Sequence, residues 1–394
     1  MRSETSVKEK GAMPVLFLMM FLVMVGFGII IPVLPFYAKT AGANPAELGL
    51  LMAVYSLMQL IFSPMWGKIS DAVGRKPVLM IGISGLALSF FMMAMADKLW
   101  MLFAARILGG FLSAANMPVT MAYVADITTP ENRSKGMGLV GAAVGLGFIF
   151  GPAIGGVFSK TSLSLPFYIA GTSSLLTLLL VIFVLKESLP KEARQRAKAE
   201  NEPSRFSLLK GPVALLFFLQ LFVSISLSGL EATFAYFASE KAGLTSVKLG
   251  YIFMIMGLAG AVVQGGLIGV LTDKLGEAAV IRGGIAVSFI GLLLILFTKN
   301  FATAALFLTI FGLGNGVIRP AVSSLLTKIS KTGHGGVTGL LSSFDSLGRI
   351  IGPPLGGALF QIYSGLPYLA GAFFSAVAYA LFQFAKIDRT ESLS

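Results

Sequence analysis

Two acids and three arginines of this sequence fall inside long apolar stretches, Glu231, Asp345, Arg106, Arg319 and Arg349, where a charge is costly and therefore a candidate for chemistry. Glu231 lies in Ser228-Gly229-Leu230-Glu231-Ala232 with no basic residue three or four positions away. A carboxyl in that setting can exchange a proton or meet a cationic ligand. Its other reading is a permanently protonated acid hydrogen-bonded to a neighbouring helix. Asp345 is followed four residues later by Arg349, the spacing that brings two side chains together on one helix face. Arg319 and Asp345 each lie about eight residues, roughly 12 Å at helical rise, inside the facing ends of two adjacent stretches, the first ending at Thr327 and the second starting at Val337. A pair across two stretches therefore competes with the pair inside one, and anchoring to backbone carbonyls is open to Arg106.

The elements that must position these groups are membrane spans. The chain is 56% hydrophobic and 12% charged, with a mean hydropathy of +0.85, against roughly 25% charged residues in soluble domains. Twelve segments are long enough to cross a hydrocarbon core of about 30 Å: Pro14 to Tyr37, Leu48 to Trp66, Pro77 to Ala96, Leu99 to Ala122, Gly136 to Phe158, Leu165 to Leu185, Pro212 to Ala238, Leu249 to Leu271, Ala279 to Thr298, Phe301 to Thr327, Val337 to Gln361 and Leu366 to Ala385. Each is expected to be helical, because lipid offers no partner to a free backbone amide. Of the 30 Lys and Arg, 21 lie on the side that holds both termini, counting Arg282 at the start of the ninth segment among them, 6 on the other and three deep inside spans. Both termini are therefore expected in the cytoplasm.

The chain is also two copies of one unit. Gly67-Lys-Ile-Ser-Asp71-Ala-Val-Gly74-Arg75-Lys76 returns 202 residues later as Gly269-Val-Leu-Thr-Asp273-Lys-Leu-Gly276-Glu277. Gly147-Phe-Ile-Phe-Gly151-Pro152-Ala-Ile-Gly155-Gly156 returns 201 residues later as Gly348-Arg-Ile-Ile-Gly352-Pro353-Pro-Leu-Gly356-Gly357. Paired bundles are how secondary transporters build a site near mid-membrane. The expected organisation is a cytoplasmic N-terminus (1–13), a first bundle (14–185), a charged, Pro-containing cytoplasmic linker (186–211), a second bundle (212–385) and a cytoplasmic C-terminus (386–394).

In the first repeat Gly67 and Gly74 permit a tight turn, Asp71 can face the positive end of a neighbouring helix, and Arg75 can hold Asp126 at the end of the fourth span. We expect these residues, with Asp273 in the second copy, to act as a conformational latch; a plain basic hairpin is the alternative. In the second repeat, glycines four apart let backbones approach while Pro152 loosens the helix. A close interface between the halves, on which a rocking motion could pivot, is expected there, with ordinary helix packing as the alternative. The net charge of +12 is accounted for by topology and anionic lipid, so it is no argument for nucleic-acid binding, and no nucleic-acid partner is expected. A chain without Cys, with the single His334 and without a Gly-Lys-Ser phosphate loop, offers no metal site, no cofactor and neither enzymatic nor ATP-driven chemistry. No receptor domain stands outside the spans. The first residues carry no cleavable leader pattern.

Gly67-x-x-x-Asp71-x-x-Gly74-Arg75-Lys76, Arg106 with Gly109-Gly110, and Gly151-Pro152-x-x-Gly155-Gly156 together resemble the signature set of the twelve-span drug:proton antiporters of the major facilitator superfamily. Ile31-Pro32-Val33-Leu34-Pro35, Ala125-Asp126-Ile127 and Ile318-Arg319-Pro320-Ala321 extend the resemblance, toward the bacterial multidrug exporters of that family, over nearly the whole chain. The resemblance implies an all-α membrane fold of two pseudo-symmetric six-helix bundles, alternating access and export driven by inward proton flow. It implies a part in proton transfer for Arg106 and a coupling role for the seventh-span acid, Glu231. The expected substrates are amphipathic, cationic compounds, handled by a monomer in a bacterial cell membrane; one physiological solute, such as a sugar or siderophore, is the alternative. Two departures stand out. Ala72 replaces the Arg that usually follows the motif Asp, and Gly316 stands where these exporters carry an acid three residues before the tenth-span Arg. Asp345 is the candidate replacement.

Overall fold

The computed structural model describes residues 2–189, 212–329 and 334–384; most of the expected linker and all of 386–394 lie outside them. The described residues form helices and no strand: α1 (Arg2–Thr40), α2 (Pro45–Val73), α3 (Arg75–Ala94), α4 (Leu99–Ser113), α5 (Asn116–Ile127), α6 (Pro130–Ser159), α7 (Leu165–Phe183), α8 (Pro212–Ala242), α9 (Ser246–Val262), a π turn (Val263–Leu267), α10 (Ile268–Ile295), α11 (Phe301–Ile329), α12 (His334–Ile362) and α13 (Leu366–Phe384). Helix α1 starts before the expected Pro14.

Ten helical stretches among the described residues are long and apolar enough to cross a membrane. One of them, Ser246–Ile295, is 50 residues long and covers both the eighth and ninth expected spans. It turns at Gly276, whose φ of 78° breaks the helical path. His334–Ile362, which carries Asp345 and Arg349, is not among the ten. The expected fourth span is interrupted between α4 and α5. Pro118 explains the interruption: it lacks an amide proton and its ring crowds the carbonyl four residues earlier, at Ala114.

The chain clusters into two compact units, Met1–Gly42 with Val54–Glu202, and Ala43–Ala53 with Pro203–Ser394. In the first, α1 packs on α6 and α7 while α3 packs on α4 and α7. In the second, α8 packs on α12 and α13 while α10 packs on α11 and α13. One packing plan is thus used twice, as the sequence repeat requires. Each unit has its own apolar core: Leu16, Met19, Met20, Tyr123 and Val140 are buried in one, and Leu216, Phe217, Val322 and Leu325 in the other. The duplicated loop is built alike in both, on a glycine at positive φ, Gly74 at 118° and Gly276 at 78°. Other residues rarely adopt that conformation.

Candidate functional site

Close backbone approach creates the site in the second unit. A Cβ on Gly352 would strike Ser228 Oγ and lie 2.6 Å from the Ile225 carbonyl oxygen; one on Gly356 would lie 2.9 Å from the Gly229 carbonyl oxygen, and one on Gly348 would strike Ser224. Only glycine allows α12 this near to α8, and Ser228 Oγ exploits the contact by donating to the Gly348 carbonyl at 3.0 Å. The polar residues of α8 are thereby set against Asp345 and Arg349 of α12.

The result is a row of alternating charges. Arg349 Nη1 is 3.7 Å from Glu231 Oε2, and Arg349 Nε is 3.6 Å from Asp345 Oδ2. Arg319 Nη1, from α11, is 3.5 Å from the same Asp345 oxygen. Ser224 Oγ donates to Asp345 Oδ1, and Gln220 Nε2 donates to it at 3.2 Å. Asp345 therefore takes both of the partners weighed for it, the one on its own helix and the one across spans. Glu231, which has no basic neighbour along its own helix, is supplied with one by α12. In the order Glu231, Arg349, Asp345, Arg319 the charges sum to zero when all four groups are ionised.

Access to these charges is unequal. The side chains of Glu231 and Asp345 are 16% and 15% exposed, whereas Arg349 and Arg319 are 39% and 51% exposed. The guanidinium groups are the more accessible members of the row and the acids the more enclosed. Near this row Gln264, on the π turn, brings Nε2 to 3.3 Å from where a Cβ on Gly316 would sit. The position without the expected acid is thus faced by an uncharged amide. Pro320 adds to the local irregularity of α11, since it has no amide proton for the Gly316 carbonyl four residues earlier.

Arg106 belongs to a different constellation, in the first unit. It is 6% exposed, and its guanidinium carbon lies 4.4 Å from the centre of the Tyr55 ring, within cation–π range. The Tyr55 hydroxyl shares a hydrogen bond with Ser113 Oγ and accepts one from Gln59 Nε2 at 3.0 Å. The structure therefore does not gather all five intramembrane charges into one group; four lie together in one unit and Arg106 lies in the other.

Three of the latch candidates, Asp71, Arg75 and Asp126, meet just after α2. Arg75 Nε donates to Asp126 Oδ2 at 3.0 Å, its Nη1 lies 2.6 Å from both Asp71 Oδ1 and Ser70 Oγ, and its side chain is 9% exposed. Arg75 thus holds Asp126, as expected, and also neutralises Asp71, the task left open by Ala72. Glu187 caps the start of α3, accepting from the amides of Arg75 at 2.8 Å and Lys76 at 3.1 Å. An acid at that end suits both the unpaired amides and the helix dipole. Ser188 Oγ adds a bond to Asp126 Oδ2 at 2.8 Å. Gly67 has open space around it, and Asp273 is exposed.

Among the repeated glycines, Gly147, Gly151 and Gly155 face α1 inside their own unit: a Cβ on Gly151 would lie 2.7 Å from Gly28 Cα, and one on Gly155 2.7 Å from the Ile29 carbonyl oxygen. For these three the close interface is an internal one rather than the expected pivot between halves. Pro152, whose ring lies 2.8 Å from the Cβ position of Gly28, shares that interface, and Gly156 is buried. Pro353 meets another segment of its unit, its carbonyl carbon lying 2.6 Å from the Cβ position of Gly49. Sequence reasoning missed Gln220, Ser224, Tyr55 and Glu187. Their polarity within or beside apolar spans was a signal, but their partners lie 111 to 125 positions away for Glu187, Gln220 and Ser224.

A family model described as Major Facilitator Superfamily matches residues 16–333 and 265–392. Multidrug resistance protein 2 of Bacillus subtilis (strain 168) is 34% identical over 383 residues, covering 95% of this chain and 95% of its own. Quinolone resistance protein NorA of Staphylococcus aureus (strain COL) is 30% identical over 358 residues, covering 90% of this chain and 92% of its own. Among solved structures the nucleoside transporter NupG aligns with a TM-score of 0.78 at 16% identity, over 95% of this chain and 98% of that one.

Proposed function

The chain belongs to the Major Facilitator Superfamily, and from that premise we propose that it is a proton-coupled antiporter that exports amphipathic, cationic compounds across the cell membrane. The relatives named for multidrug and quinolone resistance support export of varied compounds. The observation that carries the coupling is the row Glu231, Arg349, Asp345, Arg319, which sets two carboxyl groups beside two guanidinium groups within an apolar bundle.

A proton on Glu231 removes the charge that holds Arg349, leaving Asp345 as that guanidinium's acceptor. Loss of the proton restores a carboxylate that a cationic substrate can meet in place of Arg349. Proton and substrate then compete for one carboxyl, which is the requirement for exchange. Two states of access, one to each side of the membrane, let inward proton flow drive the compound outward. The termini are assigned to the cytoplasm, the protein to a monomer and its surroundings to membrane lipid; no cofactor is involved.

The test is dye accumulation in inverted membrane vesicles with and without an imposed pH gradient. Uptake of a cationic dye that rises with the gradient and collapses when it is dissipated is expected. Uptake indifferent to the gradient would remove proton coupling, and no uptake of any cationic dye would remove the export reading. A second reading, one physiological solute that bears a carboxylate, draws support from the half-exposed guanidinium groups of Arg319 and Arg349, whose forked donors suit that group. Rhodamine B against its cationic ethyl ester separates the two, since they differ only in the free acid.

A further inference from the structure

Glu277 directly follows the bend at Gly276 and stands two residues ahead of the ninth expected span. Glu277 is 5% exposed, its Oε1 lies 2.5 Å from Lys328 Nζ at the end of α11, and it accepts from Ser324 Oγ at 2.9 Å. Both members of this pair stand 202 residues after a member of the first unit's buried pair: Glu277 corresponds to Arg75 and Lys328 to Asp126. The glycine before each loop residue has positive φ in both units. The geometry of the contact has been kept in both copies while the charge on each side has been exchanged.

We propose that Glu277 and Lys328 are positioning residues for transport, a cytoplasmic clasp equivalent to Arg75 with Asp126 but of opposite polarity. Each clasp ties the loop after a glycine bend to the far end of the helical stretch that carries its unit's intramembrane arginine, Arg106 ahead of Asp126 and Arg319 ahead of Lys328. In the second unit it fixes α11 against α10 along a close contact, where a Cβ on Gly314 would lie 2.6 Å from the Gly284 carbonyl oxygen. Arg319 is nine residues from Lys328 on one continuous helix, so a slip of α11 moves the guanidinium relative to Asp345. A paired change explains the reversal: either charge alone would face its like over a few ångströms with one partner buried, an uncompensated arrangement that is strongly unfavourable. The reversal also separates the two loops electrically. Asp71 is neutralised by Arg75 four residues on, whereas Asp273 has an acid, Glu277, at that spacing.

The test uses the full chain in vesicles with export of a cationic dye as the readout, and to that extent rests on the proposed function; the unaltered chain in the same assay separates failure of that reading from failure of this one. Glu277→Lys and Lys328→Glu are each expected to lower the export rate by about tenfold through like-charge contact, with the KM for dye nearly unchanged. Combining them is expected to restore most of the rate. Single variants with the normal rate, or a double variant as impaired as the singles, would overturn the proposal. Should the reversals fail to insert, Lys328→Gln with and without Glu277→Gln gives the same comparison in milder form. Because the chain has no Cys, Glu277→Cys with Lys328→Cys can be joined by a short bifunctional thiol reagent. A positioning clasp stays closed, so the linked protein should transport like the unlinked one; arrest on linking would make the pair a gate and overturn the assignment.

Discussion

The acids and arginines of α8, α11 and α12 differ in how many partners each can lose. Glu231 is held by Arg349 alone in the row, so Glu231→Gln removes the titrating group while nearly preserving its shape. Gradient-driven export of a cationic dye is expected to fall by at least roughly tenfold, as for loss of a positioned acid–base group, while insertion is unchanged. Monitoring dye uptake across a range of imposed gradients checks this; a variant that still responds to the gradient would remove Glu231 from coupling. Asp345 has two arginine partners, and the geometry ranks them. Asp345→Asn strands Arg319, whereas Arg349 retains Glu231. Adding Arg319→Gln should therefore recover part of the lost transport, and adding Arg349→Gln should not, since it leaves Glu231 without its cation. Export rates of the three variants side by side decide the point, and rescue by Arg349→Gln would show that the pair within α12 is the one that matters.

At the scale of helices, the site depends on how near α12 comes to α8. A methyl group on Gly352 has no room, because the obstruction includes the Ile225 backbone as well as Ser228 Oγ. Gly283 on α10 has nothing within 4 Å of its Cβ position. Gly352→Ala is expected to cost ~1–3 kcal/mol through overpacking and to lower the thermal unfolding temperature in detergent, while Gly283→Ala leaves it unchanged or slightly raised, as a better helix former at an open position. Equal effects of the two would mean that the close approach does not hold the bundle. The same glycine pattern joins α6 to α1 in the first unit, but apolar residues hold the equivalent positions there: Ile30 and Val144 stand where the second unit has Glu231 and Asp345. One packing solution thus carries apolar residues in one copy and an ionic row in the other.

For the molecule as a whole, we propose the duplicated loops as the places where a change of conformational state is biased. Asp71 is 42% exposed on its side chain although paired with Arg75, which leaves its second oxygen open to a partner present in one state only. We expect Asp71→Asn to shift the population toward the state open to the cytoplasm, since a contact made in one state changes only the balance between states. Spin labels at the cytoplasmic ends of the two halves report that balance. An unchanged distance distribution with transport lost would assign Asp71 to another step of the cycle.

Composition and repetition were enough to establish a helical membrane chain built twice, because lipid admits few backbone solutions and a duplicated sequence repeats its packing. The intramembrane charges were equally legible, since an Asp, Glu or Arg in an apolar span stands out with no structure at hand. The partners of those charges were not. Glu231 looks solitary along its helix, and only the approach of α12, more than a hundred residues later in the chain, gives it Arg349. Asp345 offered two pairings that periodicity could not rank, and the packing of α8, α11 and α12 gave it both. The charge exchange between Arg75 with Asp126 and Glu277 with Lys328 was present in the sequence as offsets, but nothing local marks these residues as pairs. Helical spacing reaches three or four residues along one chain segment, whereas an ion pair is set by distance in space, and that distance is fixed only when the helices have packed.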